Sequence, residues 1–213
     1  MLGILCGFAA EKKVALKLSP LVAMSGAREE RARAAAEHLV KNGARALLSF
    51  GVAGGLAKGL TAQSLIVGTS VVDAGGQSWA CDTALIEKFS KAAPAALKGA
   101  VHGSNSIIGS SAEKERIHGG TRALIVDMES HIVAQTAARH GLPFAILRGV
   151  SDDADAPLPD AVLHGINEDG SENIAGVLKS LLADPSQLPS LLHFARNTNT
   201  ALGCLRRAIE QIR

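Results

Sequence analysis

The stretches ALIVDMES (123–130) and PFAILRGVSDDAD (143–155) each run through apolar residues and then into carboxylates, at Glu129 and at Asp152. Runs of this kind, bounded by Gly, Ser or Asp, read as strands buried on both faces. Four more occur at 2–7, 21–24, 46–50 and 65–73. Between several of them lie stretches of helical period. In REERARAAAEHLVKNG (28–43) the alanines, Leu39 and Val40 make one face, Ser25 is placed to cap the start and Gly43 to end it. ESHIVAQTAARHG (129–141) repeats the device, with Ile132, Val133, Thr136 and Ala137 facing inward and Gly141 closing the helix. The pattern is α/β with a mainly buried sheet.

From residue 156 the pattern changes. PLPDAVLHGINEDGSE (157–172) reads as a proline-containing loop with an Asp169-Gly170 turn, followed by a helix over 173–183 and a last helical region to Arg213. In that region Leu188, Leu191, Leu192, Ala195, Leu202, Leu205, Ile209 and Ile212 recur at helical spacing as one apolar stripe. A chain of 213 residues supplies one sizeable core, so residues 1–213 are expected to form a single domain, with 184–213 as a C-terminal helical extension.

Composition narrows the partners. Of the chain, 47% is hydrophobic, and a net charge of +2 spread without blocks argues against a nucleic-acid footprint. Aromatics are 3%, with no tyrosine, so stacking platforms for single strands are missing. Cys6, Cys81 and Cys204 are odd in number and far apart, as expected of reduced thiols rather than a disulfide framework. The seven histidines, His164 among them, show no paired ligand spacing, so no metal is expected. No apolar run approaches the roughly 18 residues that span a bilayer. In MLGILCGFAA the lysines follow the apolar run instead of preceding it, which makes a first strand rather than a signal peptide; a cytoplasmic location is expected.

Two constellations carry chemistry. SFGVAGGLAKGL (49–60) reads as a glycine-rich turn directly after a strand, where backbone N–H groups can approach a ligand or hold an anion. A dinucleotide fingerprint ending at Asp73 is excluded, because Gly51, Gly54 and Gly55 lack its spacing and Gly59 breaks the helix it requires. Glu129 or Asp152 alone would read equally well as a helix cap. Together, at the same end of what read as neighbouring parallel strands, they mark the place where open α/β sheets bind ligands.

The ordered set SFGVAGGL, VDMES and LRGVSD resembles the purine nucleoside phosphorylase and nucleosidase superfamily, from Gly3 to about Asp155. The resemblance implies a three-layer α/β/α phosphorylase/hydrolase-like fold with a central mixed sheet, and cleavage of the N-glycosidic bond of purine nucleosides. It implies that Glu129, after Met128, accepts the ribose hydroxyls, and that Asp152, after Ser151, helps protonate purine N7. Ala53 and Gly54 would line the nucleoside, Ile107 would stand at a usual phenylalanine and Ile108 would read the base through its backbone. Glu11 falls at the water-activating glutamate of the nucleosidase branch. Val52 replaces a usual serine or threonine, and Ser49 a phosphate-binding arginine, leaving Arg28 and Gly51 as candidate anion contacts. The region from Ser151 onward looks most like the hopanoid-associated phosphorylases, which implies adenosylhopane as substrate, release of adenine, and no cofactor beyond phosphate as a candidate co-substrate. A dimer or larger homo-oligomer and a peripheral membrane contact through Arg196, Arg206, Arg207 and Arg213 are further expectations. Two other readings stay open: a soluble methylthioadenosine/S-adenosylhomocysteine-type nucleosidase, and a noncatalytic nucleoside-binding homologue.

Overall fold

A computed structural model of the chain describes residues 1–163, 165 and 173–212. His164, the Asp169-Gly170 turn and Arg213 lie outside the described residues. In order the elements are β1 (Leu2–Cys6), α1 (Ala9–Ala15), β2 (Val22–Met24), α2 (Glu29–Lys41), β3 (Ala46–Gly55), β4 (Leu65–Asp73), β5 (Ser78–Ala80), α3 (Thr83–Ala92), β6 (Leu97–Gly103), α4 (Ser111–Thr121), β7 (Ile125–Asp127), α5 (Ser130–His140), β8 (Phe144–Asp152), α6 (Asp160–Leu163), α7 (Ile174–Ala183) and, after a 3₁₀ turn at Pro185–Gln187, α8 (Leu188–Glu210).

The sheet is mixed, and it closes on itself. Its strands follow the order β2-β1-β3-β7-β6-β4-β5, and β8 pairs with both β3 and β4. β3, β7, β6, β4 and β8 therefore form a ring, with β1 and β2 extending it on one side and β5 on another. β3 is parallel to β8 but antiparallel to β7. The expectation that Glu129 and Asp152 leave neighbouring parallel strands is thus corrected, because β7 and β8 lie on opposite sides of β3 and point in opposite directions. The carboxylates still meet, because the end of β3 touches both strands: Gly54 is in register with Val126 of β7 and with Asp152 of β8.

The glycine-rich segment is itself strand, a second correction. β3 continues through Gly55 instead of turning after Phe50. Gly51 takes φ +147, and the register with β8 shifts between Ala53 and Gly54. An irregularity of this kind bends a strand, and here it lies between the part of β3 paired with β1 and the part paired with β7.

Period-two alternation fills both faces of the sheet. Leu5, Leu47 and Ile146 pack with Ala32, Ala36 and Leu39 of α2 and Ile132, Val133 and Ala137 of α5. Their neighbours Ile4, Leu48 and Leu147 pack on the other side with Ala15 of α1, Phe89 of α3, and Leu205 and Ile209 of α8. Helices thus cover both faces, as the α/β/α reading requires.

Gly43 and Gly141 follow α2 and α5 with positive φ, in keeping with the sequence pattern. Ser25 does not cap α2, whose N-cap is Arg28; its hydroxyl donates to Glu129 instead. The C-terminal stripe divides: Leu205 and Ile209 are buried, while Leu188 and Leu192 are each 47% exposed. α1, α3, α4, β5 and β6 are not evident in the sequence. β6 (LKGAVHG) lacks a continuous apolar run, and α4 buries only Lys114 and Ile117.

Candidate active site

A cavity of about 130 Å³ opens where the ends of β3, β7 and β8 converge. Val52, Ala53 and Gly54 come from β3, Val126 to Glu129 from β7 and the start of α5, and Ser151 and Asp152 from the end of β8. Ser106, Ile107 and Ile108 close one side. Phe8, Ala27, Leu158, Val162 and Phe194 complete the wall. All the substrate-contact residues expected from the sequence therefore line one cavity.

Gly54 explains how the wall stays open between strands: a Cβ there would lie 3.2 Å from Asp152 Oδ2 and 3.4 Å from Val126 Cγ1. Ile107 and Ile108 supply apolar surface without an aromatic ring.

Glu11 sits in the third position of α1 and is buried. Its Oε2 accepts from the N–H groups of Gly7 at 2.7 Å and Phe8 at 3.0 Å, and its Oε1 from the N–H of Val52 at 2.7 Å. The carboxylate lies against Gly51, where a Cβ would clash with Glu11 Oε1. Gly51 is thus the floor under Glu11, whose carboxylate takes up the N–H groups of Gly7, Phe8 and Val52. Arg28 is exposed and does not line the cavity. Ser49 is buried and accepts from Arg148 at 2.6 Å.

The centre of the cluster is Arg148, buried among carboxylates. Its Nε lies 2.8 Å from Asp127 Oδ2 and one terminal nitrogen 3.0 Å from Glu129 Oε2. The other terminal nitrogen donates to the carbonyl of Val52 at 3.2 Å. Glu129 also accepts from Ser25 Oγ at 2.7 Å. Glu129 stands at the N-cap position of α5, but its side chain makes no capping hydrogen bond, and Asp127 serves the start of the helix instead. Asp127 Oδ1 accepts from the N–H groups of Glu129 at 3.2 Å and Ser130 at 2.8 Å. The Glu129 carboxylate is left facing the cavity.

Glu11 and Glu129 approach across Gly7, where a Cβ would lie 3.2 Å from one and 3.4 Å from the other. Burial pushes the Glu11 carboxyl up to about 7, Arg148 and the backbone donors pull it down, and Glu129 adds to the rise. Burial likewise raises Glu129, against the pull of Arg148 and the Ser25 hydroxyl. A carboxylate poised near neutrality is suited to general-base work.

At the other end of the cavity both Asp152 oxygens are held. Ser151 Oγ donates to Oδ1 at 2.7 Å, and Lys114 Nζ donates to Oδ2 at 2.6 Å. Sequence reasoning misses Arg148, Asp127, Ser25 and Lys114. Arg148 does carry a signal, since a cation inside AILRGV is surrounded by apolar neighbours and needs buried partners. Lys114 carries none, since SAEKERIH looks like any solvated helix surface.

The family model described as the phosphorylase superfamily matches residues 6–183. No curated protein matches the sequence. Among solved structures, a 5′-methylthioadenosine/S-adenosylhomocysteine nucleosidase from Neisseria meningitidis, in complex with methylthio-immucillin-A, is similar with a TM-score of 0.75 and 20% identity, over 99% of this chain and 97% of that one. The corresponding Helicobacter pylori nucleosidase gives a TM-score of 0.75 at 18% identity, over 99% and 96%. Futalosine hydrolase of Helicobacter pylori gives 0.71 at 18%, over 98% and 97%. At these identities the likeness is one of fold.

Replacing Arg148 by Met leaves buried carboxylates without their cation. Arg148→Met is expected to lower stability by about 3–5 kcal/mol, measured by urea denaturation at pH 8. A loss below about 1 kcal/mol would show that the cluster does not depend on the guanidinium.

Proposed function

The chain belongs to the phosphorylase superfamily and is an enzyme of the nucleoside phosphorylase or nucleosidase kind; from that premise we propose that it hydrolyses the N-glycosidic bond of a 5′-substituted adenosine and releases adenine. One observation carries the choice of water over phosphate: the Glu11 carboxylate occupies the N–H groups of Gly7, Phe8 and Val52. A phosphate brought there would meet a carboxylate, whereas a water would meet a base.

In this reading Glu129 accepts the ribose 2′ and 3′ hydroxyls, and Met128 and the Ile107–Ile108 segment border the nucleoside. As the C1′–N9 bond breaks, its electron pair stays with the purine and N7 takes a proton from Asp152, so that the base leaves neutral. Water adds to C1′ and gives its proton to Glu11. The raised position of Glu11 keeps the base form available above about pH 7.

The finer assignment is adenosylhopane, giving a ribosyl hopane, with the chain acting in the cytoplasm as a homo-oligomer. Its support is the likeness of the C-terminal region to hopanoid-associated phosphorylases, together with the shape of the opening. A second cavity of about 360 Å³ shares Ser151, Asp152, Leu158 and Phe194 with the first and continues along Pro157, Pro159 and Pro189. Leu188 and Leu192, next in sequence to Pro189 and His193 of that cavity, are exposed, as are Leu178 and Leu182 of α7. An apolar 5′ substituent, and contact with a membrane surface aided by Lys179 and Arg196, would give those side chains a partner. A soluble methylthioadenosine-type substrate uses the same carboxylates and differs only at the 5′ end.

Glu11→Gln should cut adenine release by about 10²- to 10⁴-fold, and Arg28→Ala should leave it unchanged. With the parent, kcat/KM should fall as pH drops through about 7, because protonation removes the base. Loss in Arg28→Ala with none in Glu11→Gln would reverse the assignment. For the substituent, Leu188→Ser/Leu192→Ser, at exposed positions that do not line the nucleoside cavity, should raise KM for adenosylhopane at least about tenfold, the equivalent of losing roughly 55 Å² of apolar contact, and should leave KM for methylthioadenosine nearly unchanged. Equal effects on the two substrates would remove the apolar channel from the account.

A further inference from the structure

Among the described residues, Lys114 and Arg148 are the two cations among the largest fully buried side chains, Lys114 at 0% exposure. It lies on α4, after the segment that borders the base, and its neighbour Glu115 is exposed. Its ammonium has three acceptors: Asp152 Oδ2 at 2.6 Å, the Asp153 carbonyl at 2.8 Å and the Ala156 carbonyl at 3.1 Å. Three protons meet three oxygens, so the group is fully satisfied, and a lysine this buried costs too much to be an accident of the surface. It approaches the very carboxyl group that faces the leaving base and ties it to the chain leading on to Leu158, another residue of the cavity wall.

We propose that Lys114 is a positioning residue for leaving-group activation, fixing the Asp152 carboxyl toward purine N7 and balancing the charge that appears there when the proton leaves. The inference rests on the hydrolytic reading above. At rest Asp152 is a carboxylate ion-paired with Lys114; it takes a proton from solvent when substrate binds. As the C1′–N9 bond breaks, the electron pair goes to the purine, N7 receives that proton, and the carboxylate is restored beside the Lys114 ammonium, which keeps all three of its protons. Charge is thus created beside a cation already in place, with no reorganisation at the moment of transfer.

A merely structural lysine and a positioning lysine differ in what they do to substrates that need no proton. Methylthioadenosine requires protonation of its base, whereas the nitrophenolate of 4-nitrophenyl riboside leaves unaided. Lys114→Met is expected to lose at least about 10²-fold in kcat on methylthioadenosine and to stay within about threefold of the parent on the nitrophenyl riboside, with the fold checked by circular dichroism. Equal losses on both substrates, or no loss on either, would overturn the proposal. If the single variant does not fold, the double variant Lys114→Met/Asp152→Asn, which removes both charges, is compared with Asp152→Asn alone. The same rates on both substrates support action through Asp152; a further loss confined to methylthioadenosine contradicts it. A parent that cleaves neither substrate defeats the hydrolytic reading itself, and this proposal with it. A parent that cleaves both while Lys114→Met behaves like the parent defeats this proposal alone.

Discussion

The guanidinium of Arg148 is the interaction on which the site depends, because Glu11, Asp127 and Glu129 all act on it in a buried interior. Carboxylates so close and so buried would repel one another and lose their hydration without a cation between them. Arg148 is delivered by β8, in register with Gly51 of β3, so the sheet pairing itself sets the cation beside the acids. The arrangement leaves more negative than positive charge in the cluster. That imbalance, on top of burial, is why Glu11 is held near neutrality instead of in the ordinary carboxylate range.

Closure of the sheet follows from the same few residues. β3 serves three neighbours: β8 along one edge as far as Gly54, and on the other edge β1 over Ala46–Ser49 and then β7 at Gly54–Gly55, the change of partner spanning Gly51 and the irregular register at Ala53 and Gly54 that let the strand bend. The missing side chains have a second use. At Gly51 the space is filled by Glu11, at Gly7 two carboxylates approach each other, and at Gly54 Asp152 sits against the backbone. Strand geometry and site geometry are therefore one constraint, and any side chain larger than hydrogen at Gly51 disturbs both.

The buried strands β1, β4 and β8 are legible in the sequence because uninterrupted apolar runs mark strands covered on both faces. Glu129 and Asp152 are legible as a pair, and the resemblance of their surroundings brings Glu11 to the same place. Their relation in the sheet is not legible: strand direction depends on the crossover between β7 and β8, and local pattern does not encode that β3 separates them. The glycine-rich segment reads as a turn because several glycines ordinarily end a strand; here they let the strand bend and admit carboxylates. Lys114 stays hidden for a different reason. Burial of a charge is a tertiary fact, decided by Asp152 and two carbonyls some forty residues away.

The most direct test of the account is the identity of the sugar product formed from methylthioadenosine in saturating phosphate. In the proposed hydrolysis, with Glu11 holding the backbone amides and water as the nucleophile, the product should be free 5-methylthioribose and the rate of adenine release should be the same without phosphate. Formation of the sugar 1-phosphate, with adenine release that depends on phosphate, would contradict the role given to Glu11 and return the site to phosphorolysis.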